Sequence, residues 1–191
     1  MATQDNHQLE IYDALVHISR GGSGQTLLLL HGAGGSANLK KLAAKLAEDY
    51  DVLLPDHPGF GLSEQSKRLS SVSDLAFYYL DFIQELGLKD VHLVGLSMGG
   101  WIAAEMAIRS TAKVKSITLV SSAGIHVKGV PKGDLFLWSP EELVRNLYVN
   151  QDVVDDVLSQ EPTSEELEFM VKNRVAAARY AWHPRFYNPD L

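Results

Sequence analysis

No cysteine occurs anywhere in the 191 residues. Disulfides, thiolate metal sites and a thiol nucleophile are thereby excluded together. Positive charge is sparse: 17 Lys and Arg stand against 24 Asp and Glu, and no basic run is longer than Lys40-Lys41. A nucleic-acid partner has no electrostatic footing on such a chain. No apolar run approaches the roughly 20 residues that span a bilayer. The first twenty residues lack a positively charged start followed by an apolar stretch, so no secretory signal is expected. His, Asp and Glu show no metal-ligand spacing such as H-x-x-x-H, so no metal site is expected either. What is present is 46% hydrophobic and 21% charged residues, the balance of a soluble globular chain with a real core. A cytoplasmic protein of one domain, or one domain with a small insertion, is the expectation.

Strand and helix patterns alternate along the first two-thirds of the chain. Residues 9–20 alternate loosely and lead into Gly21-Gly22-Ser23-Gly24, predicting one or two opening strands. Thr26 to Leu30 (TLLLL) is an uninterrupted apolar run of strand length, as expected where both faces are covered. Leu39, Leu42, Ala43 and Leu46 then fall on one helical stripe. Asp51 to Pro55 predicts a further strand, ending in Asp56-His57-Pro58-Gly59-Phe60-Gly61. Ser73 is a candidate N-cap for a helix with Leu75, Tyr79, Phe82, Ile83 and Leu86 on its apolar face and Gly87 at its end. Val91–Leu96 and Ser116–Val120 predict two more strands around a helix over 98–109. Such alternation with short turns is the signature of a mostly parallel sheet with helices on both faces. From about Gly124 no further buried strand is predicted. Capping boxes at Ser139-Pro140-Glu141-Glu142 and Thr163-Ser164-Glu165-Glu166 announce helices, the second carrying Leu167, Met170, Val171 and Val175. No internal repeat or low-complexity tract is present.

Chemistry concentrates at Gly95-Leu96-Ser97-Met98-Gly99, a G-x-S-x-G between a predicted strand and a predicted helix. A nucleophile elbow needs its serine on a tight, strained turn so that the hydroxyl stands clear of the backbone. Gly95 and Gly99 let strand and helix approach without Cβ collisions, and Gly100 extends that tolerance. The helix that follows aims its N-terminus at the site, favouring negative charge there. The second element is His31-Gly32-Ala33-Gly34-Gly35, directly after TLLLL. A tetrahedral intermediate needs two backbone N–H donors on its oxyanion. Met98, after the nucleophile, supplies one; Ala33, with Gly34 as the alternative, is the candidate for the other.

In order, spacing and strand context, HGAGG (31–35), PDHPGFGLS (55–63) and GLSMGG (95–100) resemble the α/β-hydrolase superfamily, over essentially residues 9–191. The likeness is to its lid-bearing branch of esterases, cofactor-free haloperoxidase-like enzymes and ring-cleavage-product hydrolases. It implies an oxyanion hole built from the HG loop and the residue after the nucleophile, in agreement with the residue-level reading. Leu96 stands where the family commonly has a non-catalytic His. Serine at the elbow sets the chain apart from the similar dehalogenases and epoxide hydrolases, which use Asp there. The resemblance also implies a sheet of about eight strands and a triad in the order Ser, Asp/Glu, His. Downstream of Ser97 there is no apolar strand followed by Gly-x-x-Asp and no late Gly-His. The catalytic acid and histidine are therefore expected to be missing, as in a truncated chain. His126 and His183 are the histidines that follow Ser97, and neither sits in a motif. His31, His57 and His92 read as structural, and Asp56 as the anchor of its loop.

The expected organisation is an α/β-hydrolase core over 1–123 without its C-terminal strands, a helical lid over 124–181 and a linker over 182–191. The expected function is a serine hydrolase acting on an ester or related carbonyl compound, needing no cofactor and largely inactive as this chain. Two alternatives stay open: a non-catalytic fold remnant or binding module, and, among enzymes, a C–C bond hydrolase or perhydrolase. Leu137, Trp138, Leu143 and Tyr148 in the lid suggest an apolar or aromatic small-molecule substrate. With nothing after it, SITLV (116–120) becomes an apolar sheet edge, through which self-association is expected.

Overall fold

The computed structural model describes residues 5–130, 133–183, 186–189 and 191. Two compact units divide the chain, one of residues 1–126 with 170–191 and one of residues 127–169. Among the described residues no helix is long and apolar enough to cross a membrane.

The larger unit is built on one six-stranded sheet. Its strands are β1 (Asp5–Ile11), β2 (Ala14–Gly21), β3 (Gln25–Leu30), β4 (Tyr50–Pro55), β5 (Val91–Leu96) and β6 (Val114–Val120). Their order is β1-β2-β4-β3-β5-β6. The first two form an antiparallel hairpin, and β2 also runs antiparallel to β4. From β4 to β6 every pairing is parallel. The expected mostly parallel α/β sheet is therefore present. β3 lies inside it, and Leu27 to Leu30 are all buried. Leu27 and Leu29 join Leu39, Ala43, Val52 and Leu54 in a cluster on one face; alternation sends Leu28 and Leu30 to the other. Each buried leucine contributes about 1.5–3 kcal/mol of transfer free energy, so this strand anchors both layers.

The helices follow from local chemistry. α1 (Lys40–Leu46) is preceded by a 3-10 turn over Ser36–Leu39. It buries Leu39 and Ala43 but leaves Leu42 exposed, so the predicted stripe is narrower than four residues. α2 (Val72–Glu85) is capped by Ser71, not Ser73: Ser71 Oγ accepts from Asp74 N, and the Asp74 carboxylate accepts from Ser71 N. The Ser73 hydroxyl instead meets Arg109. Gly87, with φ 64°, ends the helix; Gly87 N bonds Gln84 O and Leu88 N bonds Ile83 O, the paired bonds of a Schellman motif. α3 (Met98–Arg109) packs on β3, β5 and β6. Its buried Glu105 accepts from Trp101 Nε1 and Asn188 Nδ2 and pairs with Arg109. Asn188 N also bonds Gly124 O, fastening residues 186–188 beside the segment after β6. Of the expected 182–191 linker, Pro184, Arg185 and Asp190 lie outside the described residues.

The smaller unit holds α4 (Pro140–Leu147) and α5 (Gln151–Ser159), capped by Ser139 and Asn150. α6 (Ser164–Ala181) starts from the Thr163–Glu166 box and runs on into the larger unit. Leu167, Met170, Val171 and Val175 are exposed; the buried positions are Asn173, Ala176, Ala177, Tyr180 and Ala181. The apolar letters of this helix thus misidentify its inward face.

Candidate active site

Ser97 stands between β5 and α3 with φ 52° and ψ −113°. A non-glycine residue held there costs on the order of 1–3 kcal/mol, so the neighbourhood must enforce it. Ser97 N bonds Val120 O at 3.0 Å, while its carbonyl accepts from Trp101 N and Ala123 N at 3.1 and 3.0 Å. The glycines permit the approach. A Cβ at Gly95 would lie 2.3 Å from Gly99 O, and one at Gly99 would lie 2.1 Å from Leu30 O. At Gly100 it would meet Ser122 Oγ at 2.7 Å. Helix α3 can therefore start directly against the end of β3 only with these residues.

The loop after β3 reaches the same point. A Cβ on Gly32 would be 3.2 Å from Ser97 Cβ and 3.7 Å from its Oγ, so the HG loop lies against the serine. Gly35 N bonds Gly32 O at 3.1 Å, closing a turn with Ala33 and Gly34 at its centre. Among the described residues neither Ala33 N nor Met98 N has an acceptor. Met98 is also the first residue of α3, at the positive end of the helix. The Gly34 carbonyl is occupied instead, by Asn173 Nδ2 at 2.9 Å.

Behind the loop lie two buried histidines. His31 Nδ1–H donates to Gly32 O at 2.7 Å, and its Nε2 accepts from His57 N at 2.9 Å. His57 Nε2–H donates to His31 O at 2.8 Å, and its Nδ1 accepts from the Tyr79 hydroxyl at 2.5 Å. The rings lie 3.7 Å apart. Each imidazole thus has one donor and one acceptor engaged, the pattern of a neutral ring. Burial pushes His31 down to about 4. Burial, and secondarily the repulsion a protonated His31 would exert, hold His57 well below the ordinary value. Both side chains connect the HG loop to the loop after β4. That second loop is anchored by Asp56, which accepts from Ser36 Oγ and Leu62 N.

Three residues without a sequence signal complete the frame. Asn173 joins Gly34 to Gly61, Lys172 Nζ donates to Gly61 O and Ser63 O, and Tyr180 bonds Pro58 O. Among the described residues no side chain hydrogen-bonds Ser97 Oγ. His126 packs against the Tyr187 ring, His92 bonds Ser116 and Gln25, and His183 is exposed. No three His, Asp or Glu side chains among the described residues cluster as metal ligands.

The family model described as alpha/beta hydrolase fold matches residues 25–154, more than half the chain and both loops at Ser97. The chain belongs to the alpha/beta hydrolase fold family. Lipase 1 of Psychrobacter immobilis is 36% identical over 123 residues, covering 63% of this chain and 39% of that protein. A 2-hydroxy-6-oxononadienedioate/2-hydroxy-6-oxononatrienedioate hydrolase of Klebsiella pneumoniae is 32% identical over 163 residues, 82% of this chain and 52% of that one. The crystal structure of a bacterial membrane phospholipase A superposes with a TM-score of 0.66 and 32% identity, over 92% of this chain and 59% of that one. The chain spans about half or less of the length of these curated relatives.

The buried histidine pair gives this hydrolase fold a testable acid sensitivity. In the unfolded chain both rings titrate at the ordinary 6.5; in the folded chain they stay neutral well below it, to about 4 for His31. Between those values the unfolded state binds more protons, so stability falls as pH falls. The slope reaches about 1.4 kcal/mol per pH unit per histidine. Urea midpoints are expected to be level above about pH 7 and to decline steadily from about 6.5 towards 4. An unchanged midpoint between about pH 7 and 5 contradicts neutral burial of the pair.

Proposed function

We propose that the chain carries the nucleophile and oxyanion hole of a serine hydrolase for esters or related carbonyl compounds. The observation that carries this reading is the Ser97 backbone, at φ 52° on a strand-to-helix turn with Gly32 packed against its side chain. Ser97 Oγ attacks the carbonyl carbon, and the Met98 and Ala33 amides receive the oxyanion. The relatives' names fit a carbonyl target, since one is a lipase and another hydrolyses a dienedioate or trienedioate. We read 124–181 as a cap, and its exposed Leu137 and Tyr148 support an apolar or aromatic substrate. A base must take the serine proton for efficient turnover, and none hydrogen-bonds Ser97 Oγ among the described residues. Slow stoichiometric reaction, rather than turnover, is therefore expected. Incubation with an aryl fluorophosphonate and peptide mass spectrometry should find one adduct, on Ser97, lost in Ser97→Ala. Hydrolysis of a p-nitrophenyl ester should stay within about tenfold of the Ser97→Ala rate, because what remains without a base comes from the hole and binding. Adducts spread evenly over other serines, with Ser97 unmodified, contradict the assignment.

The second element of the proposal concerns β6. Among the described residues its one partner strand is β5, and Leu119 and Val120 are 43% and 41% exposed. An apolar edge without proline is a template for another strand, and only Lys113 and Lys115 flank the Ser116–Val120 run. Self-association through this edge is the expected behaviour. Size-exclusion chromatography with light scattering at micromolar concentration should give a mass above one chain that rises with concentration. A monomer at every concentration, with a cooperative high-temperature melt, contradicts it.

A further inference from the structure

The turn that offers Ala33 N–H is held from outside the loop, by a residue of α6. Asn173 is only 6% exposed. Its Nδ2 donates to Gly34 O and its Oδ1 accepts from Gly61 N, both at 2.9 Å. Gly35, with φ 92°, makes room: a Cβ there would lie 2.4 Å from Asn173 Nδ2. Fixing the Gly34 carbonyl fixes the plane of the 34–35 peptide, while Gly35 N closes on Gly32 O. The two bonds leave Ala33 and Gly34 little freedom between them. An amide supplies a donor and an acceptor on two adjacent atoms, as these two bonds require; an ionised carboxylate has no donor and an aliphatic chain has neither. Lys172, next along the helix, takes the Gly61 carbonyl, so the second loop is held at the same place.

We propose that Asn173 is a positioning residue for the oxyanion hole, keeping the Gly32–Gly35 turn oriented so that Ala33 N–H faces the oxygen of the carbonyl attacked at Ser97. This inference rests on the hydrolase reading of Ser97. A residue that merely glued α6 to the sheet would change the melting temperature without changing the loop.

The test uses the whole 191-residue chain as wild type, Asn173→Ala, Asn173→Asp and Ser97→Ala. The first readout is 15N relaxation of the Ala33 and Gly34 amides, which needs no ligand. Order parameters are expected near 0.85 in the wild type and below about 0.6 in Asn173→Ala. The second is affinity for phenylboronic acid, whose boron accepts Ser97 Oγ and whose oxygen then occupies the oxyanion position, the serine proton passing to solvent. Loss of about tenfold or more is expected in Asn173→Ala. In Asn173→Asp the loss is expected to shrink as pH falls and the carboxyl regains a donor, a pH dependence absent from Asn173→Ala. Should Asn173→Ala not fold, that profile carries the comparison. A loop that stays rigid in Asn173→Ala, or in Asn173→Asp at high pH, overturns the proposal even if the melting temperature drops. Boronate binding that survives Ser97→Ala, or is absent from the wild type, contradicts the reading of Ser97 instead, and the relaxation data still decide on Asn173.

Discussion

A serine forced to φ 52° is the constraint around which this structure is arranged. L-residues avoid that region, so the turn persists only where its surroundings over-determine it. Here they do so from three sides. Parallel pairing of β6 with β5 delivers the Val120 carbonyl to Ser97 N; α3 delivers Trp101 N to the serine carbonyl; the segment after β6 delivers Ala123 N to the same oxygen. Remove the glycines and α3 collides with the end of β3 within its first turn. Sheet order, helix start and serine exposure are thus one geometric solution rather than three separate features.

The same geometry explains why so much polar structure is buried beside an apolar sheet. The HG loop and the loop after β4 leave the sheet as glycine-rich segments, whose peptide groups need partners once covered. His31, His57, Asp56 and Asn173 are those partners, each spanning two backbone segments or anchoring one. The histidines serve as neutral hydrogen-bonding groups, not as proton shuttles: every ring nitrogen is committed and Tyr79 seals the far end. Among the described residues Ala33 N–H and Met98 N–H, beside Ser97, have no acceptors, and under the proposed function an anionic oxygen would meet them.

Much of this was legible in the sequence, and the reasons are local. TLLLL and DVLLP declare strands because they are largely buried, VHLVGL by its alternation of buried and partly buried positions, and Gly95 to Gly100 declare the elbow because the steric demand falls on neighbouring positions. Caps are local too, yet the sequence points to Ser73; the reciprocal bond with Asp74 puts the cap at Ser71. The apolar residues of α6 do not mark its buried face, which carries Asn173 and Tyr180, whose partners are loop carbonyls, a loop amide and a glutamine. The bonds of Asn173 join residues 112 and 139 positions apart, and no period or spacing announces such a contact. For the same reason Tyr79 reads as one more apolar position of α2 until His57 is seen against its hydroxyl.

Among the described residues a strained serine stands beside two backbone amides, Ala33 N–H and Met98 N–H, that have no acceptor. Under the proposed function that combination would receive an anionic tetrahedral centre. The most direct measurement is a crystal structure of the chain with a phosphonate bonded to Ser97 Oγ. The proposed oxyanion hole predicts a phosphoryl oxygen about 2.7–3.1 Å from both Ala33 N and Met98 N. A phosphoryl oxygen turned to solvent, with both amides unengaged, contradicts it.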